Sequence, residues 1–238
     1  MNLLLLDTGD LIGENLAELS GRRYRHMVEV LKLSVGDECR AGLVDGDIGR
    51  GTVREILDGR LILELDLCAV TLPPLPATLI LALPRPKVLK RVLQTVATLG
   101  VGKLYLINAY KVEKSYWQTP NLRPEVLREQ ILLGLEQAGT TTLPRIEIRN
   151  RFKPFVEDEL DSLAGKSLRL VAEPGGSEPV PVALNAAATI VIGPEGGFIP
   201  YEIEKLKEQG FTPVSLGPRI LRVETAVTAV LSRLYTME

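Results

Sequence analysis

The stretch that is most informative about the fold reads Thr-Ile-Val-Ile-Gly-Pro-Glu-Gly-Gly-Phe and covers residues 189–198. Its first four residues predict a short apolar strand, and the glycines after them predict a turn. One helix and one strand later, residues 216–226 read Leu-Gly-Pro-Arg-Ile-Leu-Arg-Val-Glu-Thr-Ala. Open α/β sheets bind ligands at turns that follow the carboxyl ends of their strands. Two such turns so close together indicate one pocket built mainly from main chain.

The charge of the first turn narrows the class of ligand. Gly193, Gly196 and Gly197 let a ligand approach the backbone closely. The turn contains Glu195 and no lysine, and neither the Rossmann nor the Walker glycine pattern is present. A phosphate cradle and a nucleotide-binding dehydrogenase are therefore disfavoured, and we expect a neutral or cationic ligand. A plain strand-to-helix connection stays open as the alternative.

The second turn adds positive charge. Arg219 and Arg222 lie beside Glu224 and Thr225. An arginine held at Arg222 could fix a phosphate or a base edge. The alternative is a surface ion pair, with Thr225 or Glu224 as the N-cap of the following helix.

Outward from these turns, strands alternate with helices, which predicts an α/β domain with a mostly parallel sheet. The expected strands are 78–83, 104–107, 168–172, 189–192 and 214–216, and the expected helices are 88–99, 126–137, 201–209 and 225–234. A proline-rich joint at 72–76 marks the domain boundary. Before it, a helix at 24–33 and hairpin-linked strands at 38–44, 49–56 and 60–67 predict a small β-barrel.

The overall charge is balanced, so nucleic-acid binding would need local basic patches. The 238 residues carry a net charge of −2 and are 45% apolar, as in an ordinary globular protein of two unequal domains. Two basic clusters stand out: Arg22, Arg23 and Arg25; and Arg85, Lys87, Lys90 and Arg91. The second is favoured because it follows the carboxyl end of a predicted parallel strand. Solvated surface is the alternative for both.

Histidine and cysteine are scarce. His26 is the only histidine, and Cys39 and Cys68 match no metal or redox spacing. We therefore expect no metal, and two reduced thiols consistent with a cytoplasmic protein. No run approaches the ~20 apolar residues of a membrane span, so we expect no membrane partner.

At this point the sequence resembles a known family. The motifs I-G-P-E-G-G-F and L-G-P-R-I-L-R-x-E-T-A are similar to those of the bacterial methyltransferases that modify N3 of a uridine in small-subunit (16S) ribosomal RNA, members of the trefoil-knotted SPOUT class. Further matches are Arg25-His26, Val30-Leu31, Gly36-Asp37, Leu99-Gly100-Val101 and Glu136-Gln137-Ala138-Gly139. The resemblance covers nearly the whole chain and thins between residues 145 and 165.

The resemblance implies an architecture and partners. Residues 1–71 would form a PUA-like β-barrel that binds RNA, and residues 77–238 a SPOUT methyltransferase domain, with a deep trefoil knot over roughly 168–238. The class acts as a homodimer on RNA, and its knot binds S-adenosylmethionine.

The resemblance also implies site residues. Those expected to bind S-adenosylmethionine are Glu173, Ile192, Gly193, Gly196, Gly197, Leu216, Gly217, Ile220 and Leu221. Arg222 is the candidate cation that favours an anionic base, and Glu195 or Glu224 is the candidate proton acceptor. The residues expected to contact RNA are Arg23, Arg25, Arg85, Lys87 and Lys90.

Some positions depart from the family pattern. Thr95 and Thr98 replace a lysine and a glutamate of the first methyltransferase-domain helix, and Thr140 replaces an arginine. Two alternatives therefore stay open: an enzyme of the same class acting on a different RNA site, and a non-catalytic RNA-binding or ribosome-assembly protein that retains the fold.

Overall fold

The structure is a computed structural model that describes residues 2–235. The chain forms two compact units. The first comprises Met1–Pro73 and Leu132–Leu143, and the second comprises Pro74–Ile131 and Pro144–Glu238.

The first unit is a five-stranded sheet that curls round one apolar core. Its strands are β1 (Leu4–Leu6), β2 (Leu16–Ser20), β3 (Glu38–Leu43), β4 (Ile48–Leu57) and β5 (Arg60–Ala69). Their order is β1-β3-β4-β5-β2, with β1 parallel to β3 and the other neighbours antiparallel. All five strands share a buried cluster with Met27, from the helix made of α1 (Gly21–Arg25) and π-helical His26–Val30. The predicted small barrel is thus confirmed as a curled half-barrel.

The stretch Leu132–Leu143 completes the first unit through hydrogen bonds. The Glu136 carbonyl accepts from the Asn2 N–H at 3.1 Å. The Thr141 hydroxyl donates to the Gly46 carbonyl at 2.6 Å. Because these partners lie 134 and 95 residues apart in sequence, local patterns gave no indication of this arrangement.

The second unit is an all-parallel sheet of seven strands with its own helices. Its strands are β6 (Leu75–Ala82), β7 (Val101–Ile107), β8 (Arg145–Arg149), β9 (Leu168–Ala172), β10 (Glu178–Pro179), β11 (Ala188–Ile192) and β12 (Thr212–Ser215). Their order is β10-β12-β9-β11-β6-β7-β8. The helices are α2 (Pro86–Thr98), α3 (Pro124–Ala138), α4 (Phe152–Pro154), α5 (Leu160–Ala164), α6 (Pro200–Glu208) and α7 (Val223–Leu234). Helix α3 begins in the second unit, and its residues from Leu132 onward belong to the first.

The predicted elements are all present, with bounds that differ by up to three residues. The elements that the sequence patterns did not predict are β1, β2, β8, β10 and the helical stretch from α4 to α5. The predicted α/β domain with a mostly parallel sheet is confirmed, since every strand pair of this sheet is parallel. The trefoil knot stays a prediction.

Parallel strands place their outgoing loops at one edge of the sheet. The turns 173–176, 193–198 and 216–222 follow β9, β11 and β12, and residues 83–85 follow β6, which is β11's other neighbour. Segments far apart in sequence therefore meet at this edge. Within residues 2–235, no helix has the length and apolar character needed to cross a membrane.

Candidate functional site

A cleft of about 570 Å³ opens where these turns meet. Most residues selected from the sequence line it: Arg85, Glu173, Ile192, Gly193, Glu195, Gly197, Leu216, Gly217, Ile220, Leu221, Arg222 and Glu224. Gly196, Lys87 and Lys90 lie outside this lining, and Arg23 and Arg25 belong to the first unit. The structure therefore gathers the expected residues round one cleft, while their individual roles stay predictions.

The 193–198 turn owes its shape to its glycines. The Gly197 N–H donates to the Pro194 carbonyl at 2.8 Å, and Gly197 has a φ of +68°, where glycine is strongly favoured. A Cβ atom on Gly193 would lie 3.2 Å from the Phe198 ring. The backbone of the turn thus requires glycine at 197 before any ligand is considered, and a side chain at 193 would have to displace Phe198 by a few tenths of an ångström.

The 173–176 turn is held against β12. The Glu173 N–H donates to the Val214 carbonyl at 3.0 Å, and the Gly176 N–H donates to the Glu173 carbonyl at 2.8 Å. A Cβ atom on Gly176 would lie only 2.5 Å from the carbonyl carbon of Val214. This close backbone approach fixes the position of Glu173 at the cleft.

The last of the three turns is held by Ser215. Its hydroxyl donates to the Gly217 carbonyl at 3.2 Å and accepts from the Gly217 N–H at 3.1 Å. Helix α7 begins directly after Arg222, which occupies the N-cap position in extended conformation without a side-chain cap. The alternative in which Thr225 or Glu224 caps this helix is therefore wrong, because both lie within its first turn.

The two candidate proton acceptors are each paired with an arginine from the N-terminal half of α2 or its N-cap. The Arg85 N–H donates to Glu195 Oε1 at 3.0 Å, and the Arg85 guanidinium lies 3.8 Å from the same oxygen. The Arg91 guanidinium lies 3.7 Å from the Glu224 carboxylate, whose side chain is 19% exposed. The Arg222 side chain is exposed, and its guanidinium has no hydrogen-bond or ion-pair partner among residues 2–235. Its guanidinium is therefore available to a ligand.

The candidate RNA contacts differ in how free they are. Both guanidinium NH groups of Arg23 bind the Asp10 carboxylate at 2.6 Å, and one also donates to the Leu5 carbonyl. The hydrogen bond to Asp10 raises the pKa of Arg23. Arg25 is exposed, as are Lys87 and Lys90 on α2. These three side chains are more accessible to a phosphate than Arg23 is.

Two residues near the cleft were not predicted as site residues. Glu202 is only 3% exposed, and its carboxylate accepts two backbone N–H groups. Lys111 Nζ donates to the Gly196 carbonyl at 2.7 Å. A signal for Glu202 was present: it is the third residue of a helix that begins with Pro200, where a carboxylate can bind the N-cap N–H. Lys111 has no such local signal.

The cleft suits a small organic ligand. Its volume falls within the range of about 300–1,000 Å³ that is typical of ligand pockets. Its lining combines backbone and apolar side chains such as Ile192 and Leu221 with the carboxylates of Glu173, Glu195 and Glu224 and the guanidinium groups of Arg85, Arg91, Arg219 and Arg222. The cleft thus presents both signs of charge, and the expectation of a neutral or cationic ligand stays a prediction.

Comparisons with known proteins identify the relatives of this chain. Residues 71–235 match the model of a family described as an RNA methyltransferase domain. The chain is 30% identical to ribosomal RNA small subunit methyltransferase E of Treponema pallidum (strain Nichols), over 96% of this chain and 88% of that protein. It is 24% identical to ribosomal RNA small subunit methyltransferase E 1 of Borreliella burgdorferi, over 96% and 95% of the two chains.

A solved structure shows the same fold. The crystal structure of a ribosomal RNA small subunit methyltransferase E from Neisseria gonorrhoeae, bound to S-adenosyl methionine, matches with a TM-score of 0.78 at 21% identity, over 98% of this chain and 95% of that one. The family model covers well over half of this chain, and the Treponema relative is matched along most of its length. The chain therefore belongs to the ribosomal RNA small subunit methyltransferase E family.

Proposed function

We propose that this protein uses S-adenosylmethionine to methylate N3 of a uridine in 16S ribosomal RNA of the small subunit. The cleft supports the proposal, because this chain belongs to the family and most of the residues expected to bind the cofactor or to act in catalysis line the same opening. The Neisseria relative of the same fold is bound to S-adenosyl methionine, which supports the choice of cofactor.

The residues of the cleft fit this cofactor. Glu173 and the main chain of the 193–198 and 216–222 turns would hold it, with Ile192, Leu216, Ile220 and Leu221 as apolar contacts. The carboxylates of the cleft suit the positive charge on the sulfonium sulfur, and the four arginines of the same lining suit the cofactor's carboxylate and an RNA phosphate. When bound, S-adenosylmethionine supplies a methyl group on this sulfonium, and the transfer leaves a neutral thioether.

The chain's own residues would prepare the uridine. N3 must lose its proton before or while its new bond to the methyl carbon forms. Arg222, exposed at the cleft, would favour the anionic base by its positive charge. Glu195 or Glu224 would accept the proton, while their pairing with Arg85 and Arg91 also supports a role in orienting those arginines.

Nucleoside analysis tests this function. The purified protein would be incubated with labelled S-adenosylmethionine and with 16S ribosomal RNA, free or in small subunits, from cells that lack the gene. We expect label in 3-methyluridine. Label in another nucleoside would instead support an enzyme of the same class with a different RNA site. Cofactor binding without transfer to either RNA would support a non-catalytic protein.

We propose further that the protein acts as a homodimer in the cytoplasm. The class that the sequence resembles is dimeric, and large apolar side chains of the second unit are exposed, including Ile220 at 84% and Tyr110 at 78%. Sedimentation equilibrium tests the dimer: a mass near 26.1 kDa, that of one chain, at micromolar concentration would overturn it.

A further inference from the structure

We propose that Lys111 is a positioning residue for the cofactor site: it holds the 193–198 turn in place from outside the cleft. The buried Glu202 fixes the segment from which Lys111 reaches this turn. The inference rests on the proposed function in one respect, namely that the 193–198 turn binds S-adenosylmethionine.

Lys111 contacts the turn in two ways. Its Nζ donates to the Gly196 carbonyl at 2.7 Å. Its aliphatic chain lies over the Gly196 Cα, because a Cβ atom there would be 2.9 Å from Lys111 Cδ. Gly196 is the residue of the turn that was expected to bind cofactor but lies outside the cleft lining. Its absent side chain makes room for Lys111 instead.

The Glu202 carboxylate binds both the segment that carries Lys111 and the residue that follows the 193–198 turn. One carboxylate oxygen accepts from the Tyr110 N–H at 2.8 Å, and the other accepts from the Ile199 N–H at 3.0 Å. Tyr110 directly precedes Lys111, and Ile199 directly follows the turn. Because the Glu202 side chain is buried, water does not compete for these bonds. The segment after β7 and the turn after β11 are thus fixed relative to each other.

The 193–198 turn has a second contact, made by the segment that follows β6. The Arg85 N–H, from the segment after β6, binds the Glu195 side chain. Lys111 comes from the segment after β7, the next strand in the sheet. Without Lys111, the exposed middle of the turn would lose its contact on that side. Cofactor binding would then have to order the turn, which lowers affinity.

A double-mutant cycle on Lys111 and Gly196 tests the inference directly. Lys111→Ala removes the bond and the packing, and Gly196→Ala displaces the lysine chain. We expect each to weaken S-adenosylmethionine binding and raise its KM by about tenfold, with kcat changed less than about twofold at saturating cofactor. The double variant should be no weaker than Lys111→Ala alone. Lys111→Arg, which keeps a donor, should restore most of the affinity.

Calorimetric measurement of S-adenosylmethionine binding separates the two possible failures. If the unmodified protein binds no cofactor, the proposed function fails. If it binds and Lys111→Ala binds equally well, or if the two substitutions are additive, the positioning role is overturned. Since Lys111 is exposed, both outcomes can be read on folded protein.

Glu202→Gln gives a second test. The glutamine side chain keeps one oxygen that can accept a hydrogen bond, but its NH₂ group cannot accept the bond from the other backbone N–H. We expect weaker cofactor binding by the folded protein, beyond any loss of thermal stability. Glu204→Gln is the matched control on the same helix, where Glu204 pairs with Lys207 at the surface. Equal cofactor affinity for both variants would contradict the role of Glu202.

Discussion

Arg222 stands where the last turn passes into α7, with its guanidinium exposed at the cleft. We predict that Arg222→Ala lowers methyl transfer by about 10²–10³-fold, as expected for loss of a group that stabilises developing negative charge. S-adenosylmethionine binding should change less than about twofold by calorimetry. Lys166→Ala, at the end of β9 opposite the cleft, is the control and should retain transfer. Loss of cofactor binding in Arg222→Ala would move Arg222 into the cofactor site.

The two cysteines should differ sharply in reactivity. Burial raises the pKa of Cys39 to about 11, whereas Cys68 is exposed. Since the thiolate is the reactive form, we predict that maleimide at pH 7.5 modifies Cys68 and leaves Cys39 intact. Mass spectrometry should therefore show one adduct on the native protein, none on Cys68→Ser, and two on the unfolded protein.

The raised pKa of Cys39 also has a defined effect on stability. An unfolded thiol ionises near its ordinary pKa of about 8.5. The contribution of the buried thiol is therefore complete below that pH and is lost as the pH rises through about 11. Cys39→Ala should reduce the fall in melting temperature over this range, and an unchanged fall would contradict the assignment.

Among the elements, the turn after β9 offers a matched pair of glycines. A Cβ atom on Gly176 would collide with the backbone of Val214, while a Cβ atom on Gly175 would meet nothing within 4 Å. We predict that Gly176→Ala destabilises the protein by roughly 2 kcal/mol or more, since backbone cannot yield cheaply. It should also weaken cofactor binding.

Urea denaturation and cofactor titration measure both effects. Gly175→Ala should stay within roughly 0.5 kcal/mol of the unmodified protein. If both variants behaved alike, the close approach of this turn to β12 would be disproved.

Most of the elements could be predicted, and the missed ones share physical reasons. The central strand β11 was evident because its five residues are all buried and apolar or β-branched. Strand β8 escaped because it is a five-residue edge strand that alternates isoleucine with charge, and it lies where the family resemblance thins. Strand β1 depends on pairing with β3, about 37 residues further along the chain. Local pattern contains no information about such a partner.

The features of the site also divide into those that the sequence predicts and those that it does not. The glycine turns could be read from sequence, because glycine spacing reports backbone conformation locally. The link between Lys111 and Gly196 could not, since 85 residues separate the two. Nor could the pairing of Glu224 with Arg91, which requires the helices α2 and α7 to pack together. Contacts between distant segments depend on the sheet order, which the sequence left open.

For the molecule as a whole, the balanced net charge makes the position of each basic side chain important. Lys87 and Lys90 are exposed on α2, whose N-terminal end borders the cleft. We predict that Lys87→Glu with Lys90→Glu weakens binding to 16S ribosomal RNA and reduces the slope of log K against log salt by about 1–2. Filter binding at several salt concentrations measures both.

The control for this experiment lies where the strands of the parallel sheet begin, at the end opposite the cleft. Lys166 is exposed just before β9 begins, at the end of the strand opposite the cleft. Lys166→Glu should leave the salt slope unchanged. An equal effect of the two changes would indicate general electrostatic attraction, and no effect of the double change would reject α2 as an RNA contact.

The first unit is built from two separate stretches of chain, the second of which is Leu132–Leu143. This restricts where the protein can be divided or recombined. The chain passes between units after Pro73, after Ile131 and after Leu143. A fragment ending at Pro73 would leave the N-terminal segment without its Glu136 carbonyl partner. A single genetic crossover near the proline-rich joint would likewise combine the five-stranded sheet of one ancestor with the Leu132–Leu143 stretch of another. A division of the chain at the proline-rich joint alone therefore separates the two parts of the first unit.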